Sequence, residues 1–262
     1  MLVPTRVGSL FVHETGQGEP VVLWPSLLTD HGMWRLQIPA LRERYRVIAI
    51  DPPGHGRSEP RRDHYSMDDC VGAALEVMDR LGVERARWAG LSWGGMVGMR
   101  LAMRHADRIA ALALLDTSAD RESRRKLPSY LVMLGVARAL GVIPPLLARM
   151  EPIFFDRTTR RDNRAIIDDF GQRLVRMDRR ALVTAVRAVI LERDDVRDEL
   201  SEITAPTLVI CGAHDVATPP SRSKEIVDRV KGARYIEIPD AGHLSALERP
   251  ERVTSELLDF FQ

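Results

Sequence analysis

The sequence predicts an α/β fold, in which helices cover both faces of a mostly parallel, doubly wound sheet, with a helical cap inserted into it. Short apolar runs recur along the chain and are continuous rather than alternating, which is typical of parallel strands buried on both faces. Segments with helical spacing separate them, as in residues 67–81, where Val71, Leu75 and Met78 share one face. Residues 119–200 break this alternation, because they contain helical patterns only.

The predicted strands are six of these apolar runs. They comprise residues 21–24, 46–51, 86–91, 111–116, 207–212 and 234–239. Because strands and helices alternate, we expect parallel neighbours that are joined by helical crossovers. Residues 1–118 and 201–262 are therefore predicted to form the core, and residues 119–200 the helical cap.

Composition and charge limit the classes of function. The chain has 262 residues, of which 45% are hydrophobic, so it can bury a large core. A formal net charge of +1 gives no support for a nucleic-acid partner. Gly and Pro residues and Arg138 interrupt the most apolar stretch, residues 127–150, so no membrane span is expected. With no signal-peptide pattern, and with Cys70 and Cys211 in apolar segments, we expect free buried thiols in a cytoplasmic protein.

The stretch AGLSWGGM, residues 89–96, contains the most specific motif. Gly90, Ser92 and Gly94 fit the pattern G-x-S-x-G, between a predicted strand and a helix predicted for residues 93–105. Glycines at these positions leave room for a serine on a tight, strained turn. An ordinary glycine-rich turn is the alternative, and a phosphate loop is disfavoured because Met96 stands where lysine is needed. We interpret Ser92 as a nucleophile.

A serine nucleophile needs a base, and that base needs an orienting acid. In a strand–turn–helix setting of this kind the expected chain order is serine, acid, histidine. Asp215 and His243 each follow a predicted strand, at the same sheet edge as Ser92. Asp116 also ends a strand and is the alternative acid, although the loop context favours Asp215. There is no H-E-x-x-H motif and no Cys/His cluster, so we expect neither a metal nor another cofactor.

Acyl transfer also needs donors for the developing oxyanion. The backbone N–H of Trp93, directly after the nucleophile, is one predicted donor, and the N–H of Leu27, in the loop after an earlier strand, is the other. The side chains of Leu28, Trp93 and Leu244 are predicted to contact the substrate. Burial in the core is the alternative for apolar residues of this kind.

Together these segments resemble the α/β-hydrolase superfamily over nearly the whole chain. Besides GLSWGG, the stretch IDPPGHGRSEP is similar to a family turn of the form D-x-x-G-H-G-x-S, in which the histidine, here His55, is usually structural. The stretches MWRLQIPAL, DTSA and HLSALERPE are most similar to 3-oxoadipate enol-lactonases and related carboxylesterases. The sequence departs from those enzymes at Leu28, where they commonly carry Gly, and at Trp93, where they tend to carry Met. Pro25 and Ser26 replace the common His-Gly pair.

The resemblance implies a serine hydrolase that cleaves a small-molecule carboxylic ester or lactone through an acyl-enzyme. Ser92, His243 and Asp215 would form its triad, and the cap would select the substrate. Two alternatives stay open. One is a C–C hydrolase or a perhydrolase (haloperoxidase-type) enzyme of the same fold, and the other is a non-catalytic protein that binds a small ligand. A homo-oligomer is also possible.

Overall fold

The sheet has eight strands, and the computed structural model describes all 262 residues. Its strands are β1 (Leu2–Thr5), β2 (Gly8–Thr15), β3 (Pro20–Trp24), β4 (Arg46–Ile50), β5 (Ala86–Leu91), β6 (Ile109–Leu115), β7 (Thr207–Gly212) and β8 (Arg234–Ile238). Their spatial order is β1-β2-β4-β3-β5-β6-β7-β8, and all pairs from β4 to β8 are parallel. The predicted α/β fold with a mostly parallel sheet is thus confirmed.

The strands β1 and β2 form an antiparallel edge that was not predicted from the sequence. In β2 the buried residues Leu10, Phe11 and Val12 follow one another, and the flanking residues are more exposed. Neither a long apolar run nor a regular alternation therefore marks this strand. The six strands that were predicted are all present, with bounds that differ by at most two residues.

The helices fall into three groups along the chain. Those before β6 are α1 (Ile38–Leu41), α2 (Met67–Arg80) and α3 (Trp93–Arg104). Between β6 and β7 lie α4 (Leu127–Leu140), α5 (Pro144–Phe154), α6 (Arg157–Asp162), α7 (Arg164–Arg176) and α8 (Arg179–Val186), the last continued by a π-helical turn at Arg187–Leu191. After β7 come α9 (Pro220–Arg229), α10 (Ser245–Glu248) and α11 (Pro250–Phe260). None of these helices is long and apolar enough to cross a lipid bilayer.

The helix α2 shows how local sequence sets an element. Its N-terminus carries a capping box, in which the Ser66 hydroxyl accepts the N–H of Asp69 and the Asp69 carboxylate accepts the N–H of Ser66. Val71 and Met78 lie on its buried face, as the helical spacing predicted. The helix ends one residue before the predicted limit.

The long segment between β6 and β7 contains no strand. Its helices bury Leu146, Phe154, Phe170 and Leu182 in the same hydrophobic cluster as the sheet. Ion pairs also join it to the core, and among them Arg173 on α7 contacts Asp30 in the loop after β3 at 2.8 Å. Cys70 and Cys211 are both free and buried.

Candidate active site

Ser92 lies in the sharp turn between β5 and α3. Its backbone has φ 54° and ψ −106°, a combination that residues other than glycine rarely adopt. The Ser92 N–H donates to the carbonyl of Leu115 at 2.8 Å, and the Ser92 carbonyl accepts the Thr117 hydroxyl at 2.7 Å. These hydrogen bonds to β6 and the residues after it hold the strained backbone in place.

Two glycines make this turn sterically possible. A Cβ atom on Gly94 would lie 2.0 Å from the carbonyl oxygen of Trp24. A Cβ atom on Gly90 would lie 2.1 Å from the carbonyl of Gly94. Because backbone atoms cause both clashes, rotation of a side chain cannot relieve them. This explains the spacing of the G-x-S-x-G motif.

Asp215 and His243 form a buried pair at the ends of β7 and β8. The Nδ1 atom of His243 lies 2.9 Å from Oδ2 of Asp215. Thr218 fixes the carboxylate, because its N–H donates to Oδ1 at 2.9 Å and its hydroxyl to Oδ2 at 2.8 Å. Burial opposes protonation of His243, but the charge and hydrogen bond of Asp215 outweigh it, so the pKa of His243 is raised.

Asp116, the alternative acid, is buried nearby but has other partners. Its Oδ1 accepts the N–H of Gly212 at 2.8 Å, and its Oδ2 accepts the N–H of Ser245 at 3.2 Å and the Ser245 hydroxyl. It forms no hydrogen bond to His243. Burial, followed by the charge of Asp215, raises the pKa of Asp116 well above its usual range. The geometry therefore favours Asp215 as the partner of the histidine.

Ser92 and His243 face the same cavity. No hydrogen bond joins the Ser92 hydroxyl to the imidazole in this structure, and catalytic hydrogen bonds are often long until substrate binds. The cavity measures about 110 Å³, and 17 of its 23 lining residues are hydrophobic. Most of the lining comes from the segment between β6 and β7. The core contributes Ser26, Leu27, Leu28, Ser92, Met96, Ala217, Thr218 and His243.

The two backbone groups predicted to bind an oxyanion are both free. The N–H of Leu27 has no hydrogen-bond acceptor within the chain. Trp93 is the first residue of α3, so its N–H has no acceptor within the helix. Both N–H groups belong to residues that adjoin the cavity, since Leu27 lines it and Trp93 follows Ser92.

His55 supports the loop that carries Leu27. Leu28 adopts φ 67°, in the left-handed region that favours glycine, and its N–H donates to Nε2 of His55 at 3.1 Å. The other ring nitrogen of His55 lies 2.9 Å from the carbonyl of Pro53. Burial lowers the pKa of His55, which favours the neutral ring that can accept this hydrogen bond. The structural role implied for His55 fits these contacts.

The structure corrects the expectation that the side chains of Trp93 and Leu244 contact the substrate. Both are fully buried and neither lines the cavity, whereas Leu28 does. The indole of Trp93 packs between Trp24 and Tyr65, with ring centroids 5.9 and 6.4 Å away. The first residue of α3 thus points back toward the sheet, so only its backbone N–H adjoins the site.

A backbone connection between the helical segment and the histidine loop was not predicted. The carbonyl of Phe154, at the end of α5, accepts the N–H groups of His243 at 3.1 Å and of Leu244 at 3.2 Å. The buried Glu248 strengthens this junction, because its carboxylate accepts the N–H of Asp156 at 2.7 Å and that of Gly242 at 2.8 Å. The position of His243 therefore depends on the segment between β6 and β7 as well as on β8.

Two clusters contain side chains that bind metals in other proteins. They are Asp30, His31 and Asp51, and Asp116, Cys211 and Asp215. In the first, Asp51 accepts the N–H of His31 at 2.7 Å, and Asp30 pairs with an arginine. In the second, Asp116 accepts the N–H of Gly212, and Asp215 accepts a hydrogen bond from His243. Because these carboxylates already have protein partners, neither cluster argues for a metal.

Known proteins share this architecture. A family model for the α/β-hydrolase fold matches residues 19–250. The enol-lactonase from Burkholderia xenovorans LB400 has a TM-score of 0.92 and 32% identity, over 100% of this chain and 99% of that chain. The 3-oxoadipate enol-lactonase 1 of Acinetobacter baylyi is 28% identical over 232 residues, which are 88% of this chain and 84% of that protein.

A third relative has a different described chemistry. A putative non-heme bromoperoxidase of Mycobacterium tuberculosis is 28% identical over 261 residues, which cover 97% of each chain. The family match spans most of the chain and agrees with the fold and with the position of Ser92 after β5. The protein is therefore a member of the α/β-hydrolase family.

Proposed function

We propose that this protein is a serine hydrolase that cleaves a carboxylic ester or lactone through an acyl-enzyme. The observation that carries the proposal is the hydrogen-bonded Asp215–His243 pair, which faces the same apolar cavity as Ser92 on its strained turn. The similarity to two enol-lactonases supports a lactone or ester substrate. The site offers a nucleophile, a base and free N–H donors, which are the parts that acyl transfer requires.

The proposed reaction begins when Ser92 Oγ attacks the carbonyl carbon and His243 Nε2 takes the hydroxyl proton. Asp215 accepts hydrogen bonds from Thr218 and from His243 Nδ1, and it orients and stabilises the imidazolium. His243 then gives its proton to the leaving alkoxide. Water hydrolyses the acyl-enzyme by the same proton transfers in reverse order.

The oxyanion in each tetrahedral intermediate would accept the N–H groups of Leu27 and Trp93. Removing one donor of this kind from other enzymes lowers the rate by about 10²–10³. Because both donors are backbone groups, their positions depend on the turns that hold them. His55 orients one turn through Leu28, and the glycines of the nucleophile motif permit the other.

The segment comprising residues 119–200 is proposed as a cap that selects the substrate. It supplies most of the cavity lining, and nearly all of those side chains are apolar. An apolar wall favours a substrate with a hydrocarbon part beside the scissile carbonyl. The backbone connection at Phe154 keeps this wall in register with His243.

A fluorophosphonate probe tests the proposal directly, because it reacts with an activated serine. We expect the wild-type protein to be labelled and to hydrolyse a short-chain p-nitrophenyl ester, and Ser92→Ala to lose both properties. Ser26→Ala is a matched control, since Ser26 lines the same cavity and its hydroxyl has no hydrogen-bond partner. That variant should still be labelled. Labelling of Ser92→Ala at the wild-type rate would refute the assignment.

A perhydrolase (haloperoxidase-type) reaction is the second candidate, because a putative bromoperoxidase is among the relatives. It would use the same serine but pass the acyl group to hydrogen peroxide instead of water. Peroxide-dependent bromination of an organic acceptor, measured beside ester hydrolysis in the same buffer, separates the two reactions. Bromination that exceeds hydrolysis and depends on Ser92 would favour this alternative.

A further inference from the structure

Two arginines are buried in this protein, and they differ in their partners. Arg100 is 1% exposed, and its Nη2 lies 2.6 Å from Oδ1 of Asp194. Arg193 is 6% exposed, and no carboxylate oxygen lies within 4 Å of its guanidinium. Buried charges are normally paired, because an isolated one loses its hydration without compensation. Arg193 is therefore the exception that calls for an explanation.

The guanidinium of Arg193 is held by neutral acceptors only. Its Nε donates to the carbonyl of Asp120 at 2.9 Å, its Nη1 to the carbonyl of Val189 at 2.8 Å, and its Nη2 to the Ser118 hydroxyl at 3.3 Å. Each terminal nitrogen carries a second N–H, for which the chain provides no acceptor. Those donors remain available to a ligand.

Arg193 lines the cavity that Ser92 and His243 face. Its partner Ser118 directly follows Thr117, whose hydroxyl bonds to the carbonyl of Ser92. The guanidinium is thus anchored beside the turn that carries the nucleophile. Burial is the main cause that lowers the pKa of Arg193, but an arginine side chain remains protonated in proteins.

The other charged group in the cavity lining, Glu122, already has a cation. Its Oε1 accepts the N–H of Ser123 at 2.7 Å and the Nη2 of Arg222 at 3.0 Å. Burial opposes ionisation, but these contacts with Ser123 and Arg222 outweigh it and lower the pKa of Glu122. Asp120 is also paired with Arg222, at 3.4 Å. Arg222 therefore forms ion pairs with both Asp120 and Glu122, and Arg193 has no anionic partner within 4 Å.

From this arrangement we infer that Arg193 binds a carboxylate of the substrate, which would be a half-ester of a dicarboxylic acid or a lactone that carries a carboxylate. The inference rests on the proposed function and narrows its substrate class. A carboxylate matches the fork of N–H donors on a guanidinium, and such charge-assisted hydrogen bonds are strong where water is excluded. The apolar wall would contact the hydrocarbon between the two carbonyl groups.

The test compares two substrates of equal length, the p-nitrophenyl half-ester of glutaric acid and p-nitrophenyl pentanoate. We expect Arg193→Gln to lower kcat/KM for the half-ester about ten- to a hundredfold, mainly through KM, and to change that for the pentanoate by less than about threefold. Arg193→Lys should restore part of the preference, because it keeps the charge without the fork. Arg187→Gln is the matched control, since Arg187 is exposed and paired with Glu192.

A second measurement separates this inference from the proposed function. Calorimetry would compare binding of the half-ester to Ser92→Ala and to the double variant Ser92→Ala/Arg193→Gln. Equal binding by both, or an equal loss of activity on both esters in Arg193→Gln, would overturn the carboxylate site and leave ester hydrolysis intact. If binding of the half-ester depends on Arg193 but the wild-type protein hydrolyses neither ester, the carboxylate site is supported and the proposed function is refuted.

Discussion

Replacing Asp215 by asparagine tests which carboxylate orients His243. In the structure Oδ1 of Asp215 accepts the N–H of Thr218, and Oδ2 faces both the Thr218 hydroxyl and His243 Nδ1. An asparagine would keep its oxygen toward the Thr218 N–H, because an amide NH₂ there would oppose another donor. Its NH₂ group would then face Nδ1 of the imidazole.

This orientation determines the expected loss of rate. A donor opposite Nδ1 favours the tautomer that carries its proton on Nε2, and such an imidazole cannot take a proton from Ser92. The corresponding substitution in a serine protease lowers kcat by about 10⁴. At about 1.36 kcal/mol for each tenfold change, this corresponds to a barrier increase of about 5.4 kcal/mol. We expect a loss of this size for Asp215→Asn, with little change in stability because the Thr218 N–H keeps its acceptor and the Thr218 hydroxyl can turn to accept from the new NH₂ group.

Steady-state hydrolysis of p-nitrophenyl pentanoate, with urea unfolding to measure the folded fraction, provides the assay. Asp116→Asn is the matched control, because Asp116 is equally buried but bonds to Gly212 and Ser245 instead of the histidine. Its kcat per folded molecule should fall far less. If Asp215→Asn stays within about tenfold of wild type while Asp116→Asn loses about 10⁴, the acid has been assigned to the wrong strand.

Three further outcomes are expected. The pKa of His243 is raised above 6.5, and only the neutral ring accepts a proton from Ser92. The value of kcat/KM should therefore fall as the pH drops through a value above 6.5, and a fall that begins only below pH 6 would contradict this. Trp93→Ala should lower the free energy of unfolding in urea by about 3–5 kcal/mol without changing the selectivity among esters of graded chain length. A changed selectivity would show that the indole contacts the substrate after all. Gly94→Ala should destabilise the protein by about 3 kcal/mol, because the added Cβ would meet a backbone carbonyl. Gly135→Ala is the control, since its Cβ would meet nothing within 4 Å, and it should stabilise α4 by about 0.5–1 kcal/mol. Similar changes in stability for the two variants would refute the steric explanation.

Features with a local cause were accessible from the sequence. Buried parallel strands appear as apolar runs, and helix α2 appears as apolar residues at helical spacing, of which Val71 and Met78 are buried in the structure. The convergence of Ser92, Asp215 and His243 followed from the rule that loops after parallel strands meet at one edge. The structure brings Asp215 and His243 into hydrogen-bond contact, and it places Ser92 on the same cavity.

Features that depend on side-chain direction were less accessible. Trp93 was predicted to contact the substrate because it adjoins the nucleophile, yet its indole points into the core between Trp24 and Tyr65. Thr218 was missed, although a threonine three residues after an aspartate is a common partner in local turns. The hydrogen bonds that the Phe154 carbonyl accepts could not be predicted from the sequence, because every residue carries such a carbonyl.

Arg193 shows most clearly that a sequence motif does not identify every residue of a site. The chain contains 38 lysines and arginines, and the sequence around Arg193 resembles the charged stretches that surround many of them. What distinguishes it is the absence of a carboxylate within 4 Å, combined with burial on the wall of the cavity. Its guanidinium is held by Ser118 and Asp120, which follow β6, and by Val189, in the π-helical turn after α8. A nucleophile can be recognised from the local sequence of its turn. A residue such as Arg193 stands out only in the folded structure, because tertiary packing decides whether a buried charge has a partner of opposite charge.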